Sequence, residues 1–394
     1  MKKIRLLLIT ILIFISTGCY NYRELTKIAI TSAIGINKTD DGYELIIQVI
    51  NTQKTGSDSN SASDTPKFIV YKKKGRTIQE ALRNIILESP RRLYVNHMAL
   101  LVISEDVAKD GLNDIIDLFA RDSEFRKQFL VLVSKEEDTS DILSILTALE
   151  TLNSKKIKDS LYTDKMYLGI SNIVNFEDLL NSYINKRMDI ALPSIKLQGD
   201  KDEGEKDDNI KKSSPNARAI LSGLAVFKDK KLVGYLDVSD SINVSYLNNT
   251  IDNTIYTYKC YDDKYTSVEV VDSKTNIEID KEKNEIKFVI KNRANINEMN
   301  CSINIQNEKE LGKLEEDMKK NMEKSFYKTI DKLISEYNAD ICGFKELIYK
   351  TYPKYYKELE KKYGDEILKN LSYKVDVKLE LVAKGNILKE IANE

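Results

Sequence analysis

Tryptophan is absent from this chain of 394 residues, and histidine occurs once, at position 97. A single histidine excludes the usual metal sites with two histidine ligands. It also leaves any Ser-His-Asp or Cys-His nucleophile dependent on His97 alone. The absence of tryptophan disfavours a cleft in which a sugar stacks on an indole ring. We therefore predict that the protein is not an enzyme and has no catalytic residues, and we interpret His97 as a structural histidine with a satisfied partner.

An excess of charge of either sign is also missing, because 61 Lys and Arg face 62 Asp and Glu. Nucleic-acid binding relies on positive charge, so we expect no nucleic-acid partner. The sequence has no glycine-rich phosphate loop, no HExxH and no paired CxxC, so we expect no cofactor and no metal. With 42% hydrophobic and 31% charged residues, the chain is too polar to cross a membrane many times and long enough for two or three cores.

The N-terminal segment is typical of an exported bacterial protein. Three basic residues precede an apolar run at residues 6–15, which is too short to span a bilayer. Small residues follow and end in Gly18-Cys19, the arrangement of a lipoprotein processing site. We predict that residues 1–18 are a signal peptide and that Cys19 carries a thioether-linked lipid. The alternative is an ordinary secreted protein with a chance Gly-Cys at its cleavage site.

The predicted mature chain is slightly acidic, with 58 basic against 62 acidic residues. Such a body is not attracted to anionic lipid by its net charge. One acyl chain holds a protein on a membrane only marginally, whereas two or three chains on one cysteine attach it lastingly. We therefore expect the lipid on Cys19, and not a basic face, to be the anchor.

Three cysteines remain beyond the predicted lipid site: Cys260, Cys301 and Cys342. Because the number is odd, at least one is unpaired or forms a bridge elsewhere. We favour the interpretation that all three are buried thiols, since unpaired cysteine behaves as a small hydrophobe. We treat the equal spacing of 41 residues between them as coincidence.

The first part of the mature chain alternates between strand and helix patterns. Residues 28–36 and 43–50 are β-branched and apolar and predict a hairpin, and residues 52–66 form a polar loop. Thr77 and Glu80 have the spacing of a capping box and predict a helix that ends before Pro90. Further on, the sequence predicts strands at residues 97–103 and 129–133, with a helix between them that is capped by Ser104.

The remainder of the chain contains longer elements. The patterns predict helices over residues 139–187, a charged loop at residues 199–217, a hairpin at residues 219–238 that turns at Asp229-Lys230, strands at residues 254–259, 267–271 and 286–290, a long helix from Leu311 to Tyr337, and a final strand at residues 373–382. Apolar residues alternate along this final strand, so we interpret it as one strand of an antiparallel sheet covered by helices on one face.

These elements together predict an α+β protein with mixed and antiparallel sheets, packed helices and three domains. After the signal peptide of residues 1–18, we assign an N-terminal α/β domain to residues 19–137 and a middle domain to residues 138–248. A C-terminal α+β domain, with an antiparallel sheet and the long helix, follows at residues 249–394.

Two groups of side chains are candidates for a partner surface. The basic segment at residues 91–94 could bind an anion or a partner together with Arg121, Asp122 and Arg126. The default interpretation is that these residues are the solvent-exposed ends of a strand and a helix. A tyrosine cluster suits either a core or an interface, and we favour packing; it comprises Tyr349, Tyr352, Tyr355, Tyr356 and Tyr363.

Four segments in order resemble the Ger(x)C family of spore germination lipoproteins. The segment CYNYREL at residues 19–25 is similar to the family's opening after its lipid cysteine. Residues 91–126, RRLYVNHMALLVISEDVAKDGLNDIIDLFARDSEFR, resemble its central segment. Its later segments are similar to SGLAVFKDKKLVGYL at residues 222–236 and NADICGFKELIYKTYPKYY at residues 338–356. The resemblance covers nearly the whole mature chain, although Tyr stands at positions 20 and 356 where the family usually has Trp.

The resemblance implies a non-enzymatic, lipid-anchored protein of three α+β domains on the outer face of the spore inner membrane. Such a protein is the C subunit of a GerA-type germinant receptor and works beside a multi-pass A subunit and a transporter-like B subunit in nutrient-triggered germination. The sequence leaves open which germinant is sensed and whether this subunit contacts it.

Two other classes of protein remain open from the residues alone. A solute-binding lipoprotein of a transporter should have two similar parallel α/β lobes and a deep cleft, which the predicted antiparallel final strand does not favour. A lipid-anchored cell-wall hydrolase should have two carboxylates facing each other in a groove, one with a raised pKa.

Overall fold

The computed structural model of the protein describes residues 27–51, 67–261, 263–304 and 307–383. The predicted signal peptide, the predicted lipid site Cys19 and the polar segment 52–66 lie outside these described residues. The helices and strands of the described chain fall into two sheets with helices packed against them.

The first sheet has nine strands within the described chain and extends from residue 28 to residue 236. Its strands are β1 (Ile28–Thr39), β2 (Gly42–Ile50), β3 (Phe68–Gly75), β4 (Arg92–Tyr94), β5 (Leu100–Ile103), β6 (Leu130–Ser134), β7 (Ala191–Gly199), β8 (Ala217–Lys228) and β9 (Lys231–Leu236). Their spatial order is β3-β2-β1-β5-β6-β7-β8-β9, and the short β4 pairs with the start of β1.

The centre of this sheet is parallel and its margins are antiparallel. β1, β5, β6 and β7 run in the same direction, whereas β2 and β3 on one side and β8 and β9 on the other pair antiparallel. Every residue of β5 and β6 is buried, which explains why these strands are continuous apolar runs. The predicted hairpins are confirmed, and the turn at Asp229-Lys230 has positive φ at both residues, as a tight hairpin turn requires.

Helices cover both faces of the first sheet. They are α1 (Ile78–Asn84), α2 (Glu105–Asp110), α3 (Asn113–Arg121), α4 (Ser140–Leu143), α5 (Asn153–Tyr167), α6 (Phe176–Ile184), α7 (Lys201–Gly204) and α8 (Asp208–Lys211). One hydrophobic core lies under α1, α3 and α6, and a second lies under α4 and α5 on the opposite face. The charged segment predicted as a loop at residues 199–217 contains the short α7 and α8.

Two of the predicted helix starts differ in detail from the structure. The Thr77 hydroxyl accepts the Glu80 N–H at 3.1 Å, as predicted, but the Glu80 carboxylate accepts the N–H of Arg76 and not that of Thr77. Ser104 caps α2 only, because this helix ends at Gly111. Gly111 has a φ of 129°, which residues with a side chain rarely adopt. The helix predicted after Ser104 is therefore two helices.

The second sheet lies in the last third of the chain. Its strands are β10 (Thr254–Lys259), β11 (Tyr265–Asp280), β12 (Glu285–Met299) and β13 (Ser372–Ala383), in that order. The associated helices are α9 (Val238–Leu247), α10 (Glu308–Asp331), α11 (Phe344–Thr351) and α12 (Pro353–Tyr363). The predicted long helix is confirmed as α10, and its buried positions include Leu314, Met318, Met322 and Phe326.

The predicted antiparallel direction of the final strand was wrong. β13 pairs parallel with β12, from Glu285 opposite Ser372 to Ala294 opposite Leu381. Alternating burial reports only that one face of a strand is covered, and it says nothing about direction. Here the connection from β12 to β13 passes through α10, α11 and α12, and a crossover of this length permits a parallel pair.

The outer edge of β13 is covered by side chains of α10. The N–H groups of Val375, Val377 and Leu381 donate to Tyr327, Glu323 and Glu315, respectively, over distances of 3.0 to 3.2 Å. An unpaired strand edge would otherwise invite association with another strand. The polar side of α10 therefore protects the sheet from edge pairing.

The prediction of three buried thiols was wrong for two of the cysteines. Cys260 and Cys301 form a disulfide with a Cα–Cα distance of 6.0 Å, and only Cys342 is free among the cysteines that the structure describes. Cys260 directly follows β10, and Cys301 lies two residues beyond β12. Because β10 and β12 end at the same level on either side of β11, both cysteines meet beyond the sheet.

One predicted domain boundary cuts through the first sheet, and the other lies between the two sheets. β6 ends before residue 137 and pairs with β7, so the first sheet continues across the predicted boundary between residues 137 and 138. The predicted boundary between residues 248 and 249 falls between the first and second sheets. The predicted α+β fold, with more than one sheet and with packed helices, is confirmed.

Candidate functional site

His97 lies in an exposed turn between β4 and β5. Its ring centroid is 5.5 Å from that of Tyr94, in a tilted contact. Thus the one imidazole stands on the surface beside an aromatic ring and not in a buried polar network. Within the described chain, no group of three or more His, Cys, Asp or Glu side chains could hold a metal ion.

Two buried carboxyl groups have raised pKa values, and each is part of the backbone scaffold. The Asp340 carboxylate accepts the N–H groups of Phe344 and Lys345, both at 2.8 Å, and so caps the first turn of α11. Burial raises the pKa of Asp340 to about 6. Asp164 accepts the N–H of Ser171 at 2.7 Å, and burial raises its pKa as well. A carboxyl whose oxygens are held by backbone N–H groups is poorly placed to act on a substrate.

The basic residues predicted as one partner surface are divided among separate ion pairs. Arg92 pairs with Glu124, whereas Arg121 pairs with Asp117 one turn earlier on α3. Arg121 lines a groove of about 630 Å³ beside Tyr43. Arg126 is exposed near the start of β6. The structure therefore does not gather these side chains into a single anion site.

Four of the five tyrosines pack in or against the second core, as predicted, and two of these four also contact Arg187 from an earlier part of the chain. The Arg187 guanidinium lies 3.6 Å from the ring centroid of Tyr349 and 5.6 Å from that of Tyr356. The two rings meet edge to face at 5.5 Å, and Glu346 pairs with Arg187 at 3.4 Å. Tyr352 contacts Lys281 instead, with 4.6 Å between its ring centroid and the ammonium.

A polar link beside this cluster connects the end of the first sheet to the C-terminal helices. The N–H of Asp189 donates to the Asp340 carbonyl at 2.9 Å, and the N–H of Asp340 donates to the Asp189 carboxylate at 2.8 Å. Lys228 pairs with the same carboxylate at 3.4 Å. Together with Arg187, these contacts fix the two sheets relative to one another.

Sequence patterns did not reveal a groove of about 530 Å³ between α5 and β8. β9 pairs with β8 only along residues 224–228, so the first half of β8 has a single neighbouring strand, β7. Lys156 on α5 donates to the Ala219 carbonyl at this edge. Exposed Leu149 and Tyr167 line the groove. The helical pattern of residues 153–167 was visible in the sequence, but its apolar positions gave no sign that some would remain uncovered.

The described residues that follow the predicted lipid site most closely in the sequence lie at one end of the first sheet. The described chain begins at Lys27, immediately before β1. Ile28 pairs with Arg92 of β4, and β5 and β6 begin at the same end. No helix of the described chain is both long and apolar enough to cross a membrane.

Known proteins resemble this chain along nearly its entire length. The family model for the spore germination protein N-terminal domain matches residues 21–197, and the model for the spore germination B3/GerAC-like C-terminal region matches residues 222–385. Spore germination protein KC of Bacillus subtilis is 30% identical over 96% of this chain and 94% of its own length. Spore germination protein B3 of the same organism is 22% identical over 94% of this chain and 95% of its own length.

A solved structure has the same fold. The crystal structure of the GerBC protein superimposes with a TM-score of 0.53 and 18% identity, over 89% of this chain and 96% of that one. Both halves of the chain match models of spore germination proteins, and the relatives match from end to end. The chain therefore belongs to the Ger(x)C family of spore germination proteins.

Proposed function

We propose that this protein is the lipid-anchored, non-enzymatic C subunit of a spore germinant receptor. It sits on the outer face of the spore inner membrane and holds the membrane-embedded A and B subunits in an arrangement competent for nutrient-triggered germination. The observation that carries the proposal is the end-to-end match to spore germination proteins, joined to the Gly18-Cys19 lipid site of the sequence.

The disulfide supports a location outside the cytoplasm. Cys260 and Cys301 are bonded across the end of the second sheet. Disulfides persist in oxidising compartments and are rare in the reducing cytoplasm. An exported protein held on the outer side of a membrane by Cys19 agrees with this bond.

The chemistry of the described side chains supports a role without catalysis. His97 is exposed beside Tyr94, and the oxygens of Asp340 and Asp164 are held by backbone N–H groups. The hydrolase alternative requires two carboxylates facing each other across a groove, and the raised-pKa carboxyls of the described chain do not have this geometry. The solute-binding alternative requires two similar lobes, whereas the sheets here have nine and four strands.

The lipid gives such a scaffold its effectiveness. Confinement to the membrane plane raises the effective concentration of the protein for partners in the same membrane. A modest interface with the A and B subunits then suffices, because the anchor supplies proximity. Loss of the lipid should weaken assembly strongly, even though every folded contact remains.

The test is co-purification of the A and B subunits with wild-type chain and with Cys19→Ala chain at matched expression. The variant is produced behind a secretory signal that an ordinary signal peptidase removes, so that no uncleaved signal substitutes for the lipid. Ser16→Ala, which keeps a small residue before Gly18-Cys19, is the matched control and should be acylated as the wild type is.

We expect acyl label on the wild type and on the control, none on Cys19→Ala, and recovery of the A and B subunits reduced at least about tenfold in that variant. Acyl label on Cys19→Ala would contradict the lipid site. Equal recovery of the A and B subunits together with normal germination would contradict the scaffold role of the anchor.

A further inference from the structure

We propose that the exposed face of the second sheet binds an acidic helix of a partner protein, through a surface that we call the lysine row. The lysine row comprises Lys274 on β11, Lys291 on β12 and Lys378 on β13. The proposal goes beyond the scaffold function, because it names a surface and the chemistry of its partner. It does not depend on the lipid at Cys19.

The register of the sheet places the three lysines side by side. Lys274 stands opposite Lys291 in the antiparallel pair of β11 and β12, and Lys291 stands opposite Lys378 in the parallel pair of β12 and β13. Residues in register on neighbouring strands lie on the same face of a sheet. Neighbouring strands are about 4.8 Å apart, so the lysine row is about 10 Å long at the level of the backbone.

The lysine row lies on the face of the sheet opposite to α10. Ile290 and Ala294 of β12 are buried in cores that also contain side chains of α10. Successive side chains of a strand alternate between its two faces, so Lys291 points away from this helix. All three lysines of the row are exposed.

The charges of the lysine row are not neutralised by direct contacts. None of the three lysines forms an ion pair with another residue that the structure describes. Like charges directly opposite each other on neighbouring strands weaken a sheet. A partner that brings carboxylates to this row is therefore attracted to it, and it also relieves the repulsion between the lysines.

Carboxylates border the lysine row and keep it narrow. On one side, Arg293 stands in register between Asp272 and Glu380. On the other side, Asp376 stands opposite Val289. A partner must therefore bring its negative charge in a single line, because a broader negative surface meets these carboxylates as well.

The length of the lysine row matches an acidic helix. With a rise of 1.5 Å per residue, helix positions i, i+4 and i+7 lie on one face and cover about 10.5 Å. In an extended segment, side chains on one face are about 6.7 Å apart, which does not match the spacing between strands. An anionic membrane is a broad negative surface, and repulsion from the bordering carboxylates disfavours it. We therefore assign the row to a helix that carries three carboxylates on one face and lies across the strands.

The first test uses the full-length chain in a non-ionic detergent and two synthetic peptides of equal composition. The striped peptide is an alanine- and glutamine-based helix of about 18 residues with glutamates at i, i+4 and i+7. In the scrambled peptide, the glutamates are at i, i+5 and i+10 and are therefore distributed around the helix. Fluorescence anisotropy of the labelled peptides measures binding at low ionic strength and again in added salt.

We expect the wild type to bind the striped peptide at least about tenfold more tightly than the scrambled peptide, with a preference that salt weakens. Replacing all three lysines of the row by Gln should remove this preference. The matched control replaces three other exposed lysines by Gln and should keep it; they are Lys165, Lys212 and Lys354. Equal binding of both peptides by the wild type, or an unchanged preference after replacement of the row, would overturn the proposal.

A single substitution separates loss of binding from loss of folding. Lys291→Glu places a carboxylate between Lys274 and Lys378, and opposite charges in register stabilise a sheet. We expect this variant to unfold at a higher urea concentration than the wild type and to bind the striped peptide at least about tenfold more weakly. A lower urea midpoint would contradict the repulsion within the lysine row, and unchanged binding would overturn the proposed surface.

Vesicles of phosphatidylglycerol test the membrane as the alternative occupant. They are mixed with the unlipidated Cys19→Ala chain, with and without Lys291→Glu. We expect no binding that Lys291→Glu removes. Binding that this substitution removes, together with equal binding of the two peptides, would overturn the helix as the partner.

Spores that accumulate each variant to the wild-type level test whether the partner matters for germination. We expect germination at least about tenfold slower with Lys291→Glu, and normal germination with the matched control of three lysines. Normal germination with Lys291→Glu would overturn a partner protein on this face and leave the scaffold role of the anchor untouched. Failure of that role would instead appear in the Cys19→Ala experiment, so the two failures are distinguishable.

Discussion

Arg187 lies with its guanidinium 3.6 Å from the ring centroid of Tyr349, although 162 positions separate the two residues in the sequence. The arginine stands just before β7, the strand that extends the first sheet, while the tyrosine belongs to α11 beside the second. Glu346 pairs with the same guanidinium at 3.4 Å. A planar cation stacked on a ring and paired with a carboxylate holds its orientation better than an ammonium would.

Arg187→Ala should therefore lower the free energy of unfolding by about 1–2 kcal/mol, because both the stacking and the ion pair are lost. Arg187→Lys should recover only part of this, since lysine lacks the planar fork. Urea unfolding followed by circular dichroism measures both variants. Lys362→Ala is the matched control, because Lys362 lies over Tyr363 at an exposed position. If Lys362→Ala lowered the free energy of unfolding as much as Arg187→Ala, the buried stacking of Arg187 would stabilise the protein no more than an exposed cation–ring contact does.

The sequence predicted elements well where one periodicity covers many residues. The hairpin of β1 and β2 and the helix α10 were expected, because alternation and three-to-four spacing report which face of an element is buried. The parallel pairing of β12 with β13 was missed, because burial of one face is the same for either direction. The contact of Arg187 with Tyr349 could not be predicted, because it depends on how two sheets meet.

The candidate sites also differ in whether they depend on adjacent residues or on the fold. The predicted lipid site at Gly18-Cys19 depends on four adjacent residues of the sequence alone, and it stays a prediction. By contrast, the pairing of Cys260 with Cys301 follows from the equal ends of β10 and β12, which no spacing of cysteines specifies.

The disulfide leads to a prediction about thiol content and stability. Replacing both Cys260 and Cys301 by Ala should lower the free energy of unfolding by about 3–4 kcal/mol, because the bond closes a loop of 41 residues and restricts the unfolded chain. Among the three cysteines that the structure describes, a thiol reagent should react only with Cys342 in denatured, unreduced wild-type protein, as measured by mass spectrometry. Labelling at Cys260 or Cys301 in that experiment would contradict the bond, and neither of them should be labelled in Cys342→Ala protein.

The position of His97 predicts that its removal is mild. His97→Ala should change the free energy of unfolding by less than about 0.5 kcal/mol, because the imidazole is exposed and its ring contact is with Tyr94. Spores that carry this variant should germinate normally when the protein accumulates to wild-type levels. Complete loss of germination at normal protein levels would instead indicate chemistry at His97 and contradict the non-enzymatic proposal.

Asp340 predicts a pH dependence of stability whose sign is opposite to that of a paired carboxylate. Burial raises its pKa from 3.8 in the unfolded chain to about 6 in the folded protein. Between these values the folded state binds the proton more tightly, so the contribution is fully present below about pH 4 and is lost as the pH rises through 6. The loss is at most about 3 kcal/mol. The charge of nearby Lys345 lowers this pKa and the charge of Asp189 raises it, and both effects are smaller than that of burial.

The measurement is urea unfolding of wild type and Asp340→Asn between pH 4 and pH 7. The amide does not titrate, so the difference between the two proteins isolates Asp340 from other carboxyls such as Asp138, whose pKa is lowered and whose effect has the opposite sign. We expect the wild type to lose stability relative to the variant as the pH rises. A difference that is constant over this interval would show that the folded and unfolded pKa values of Asp340 are equal, and that the two N–H groups of α11 offset its burial completely.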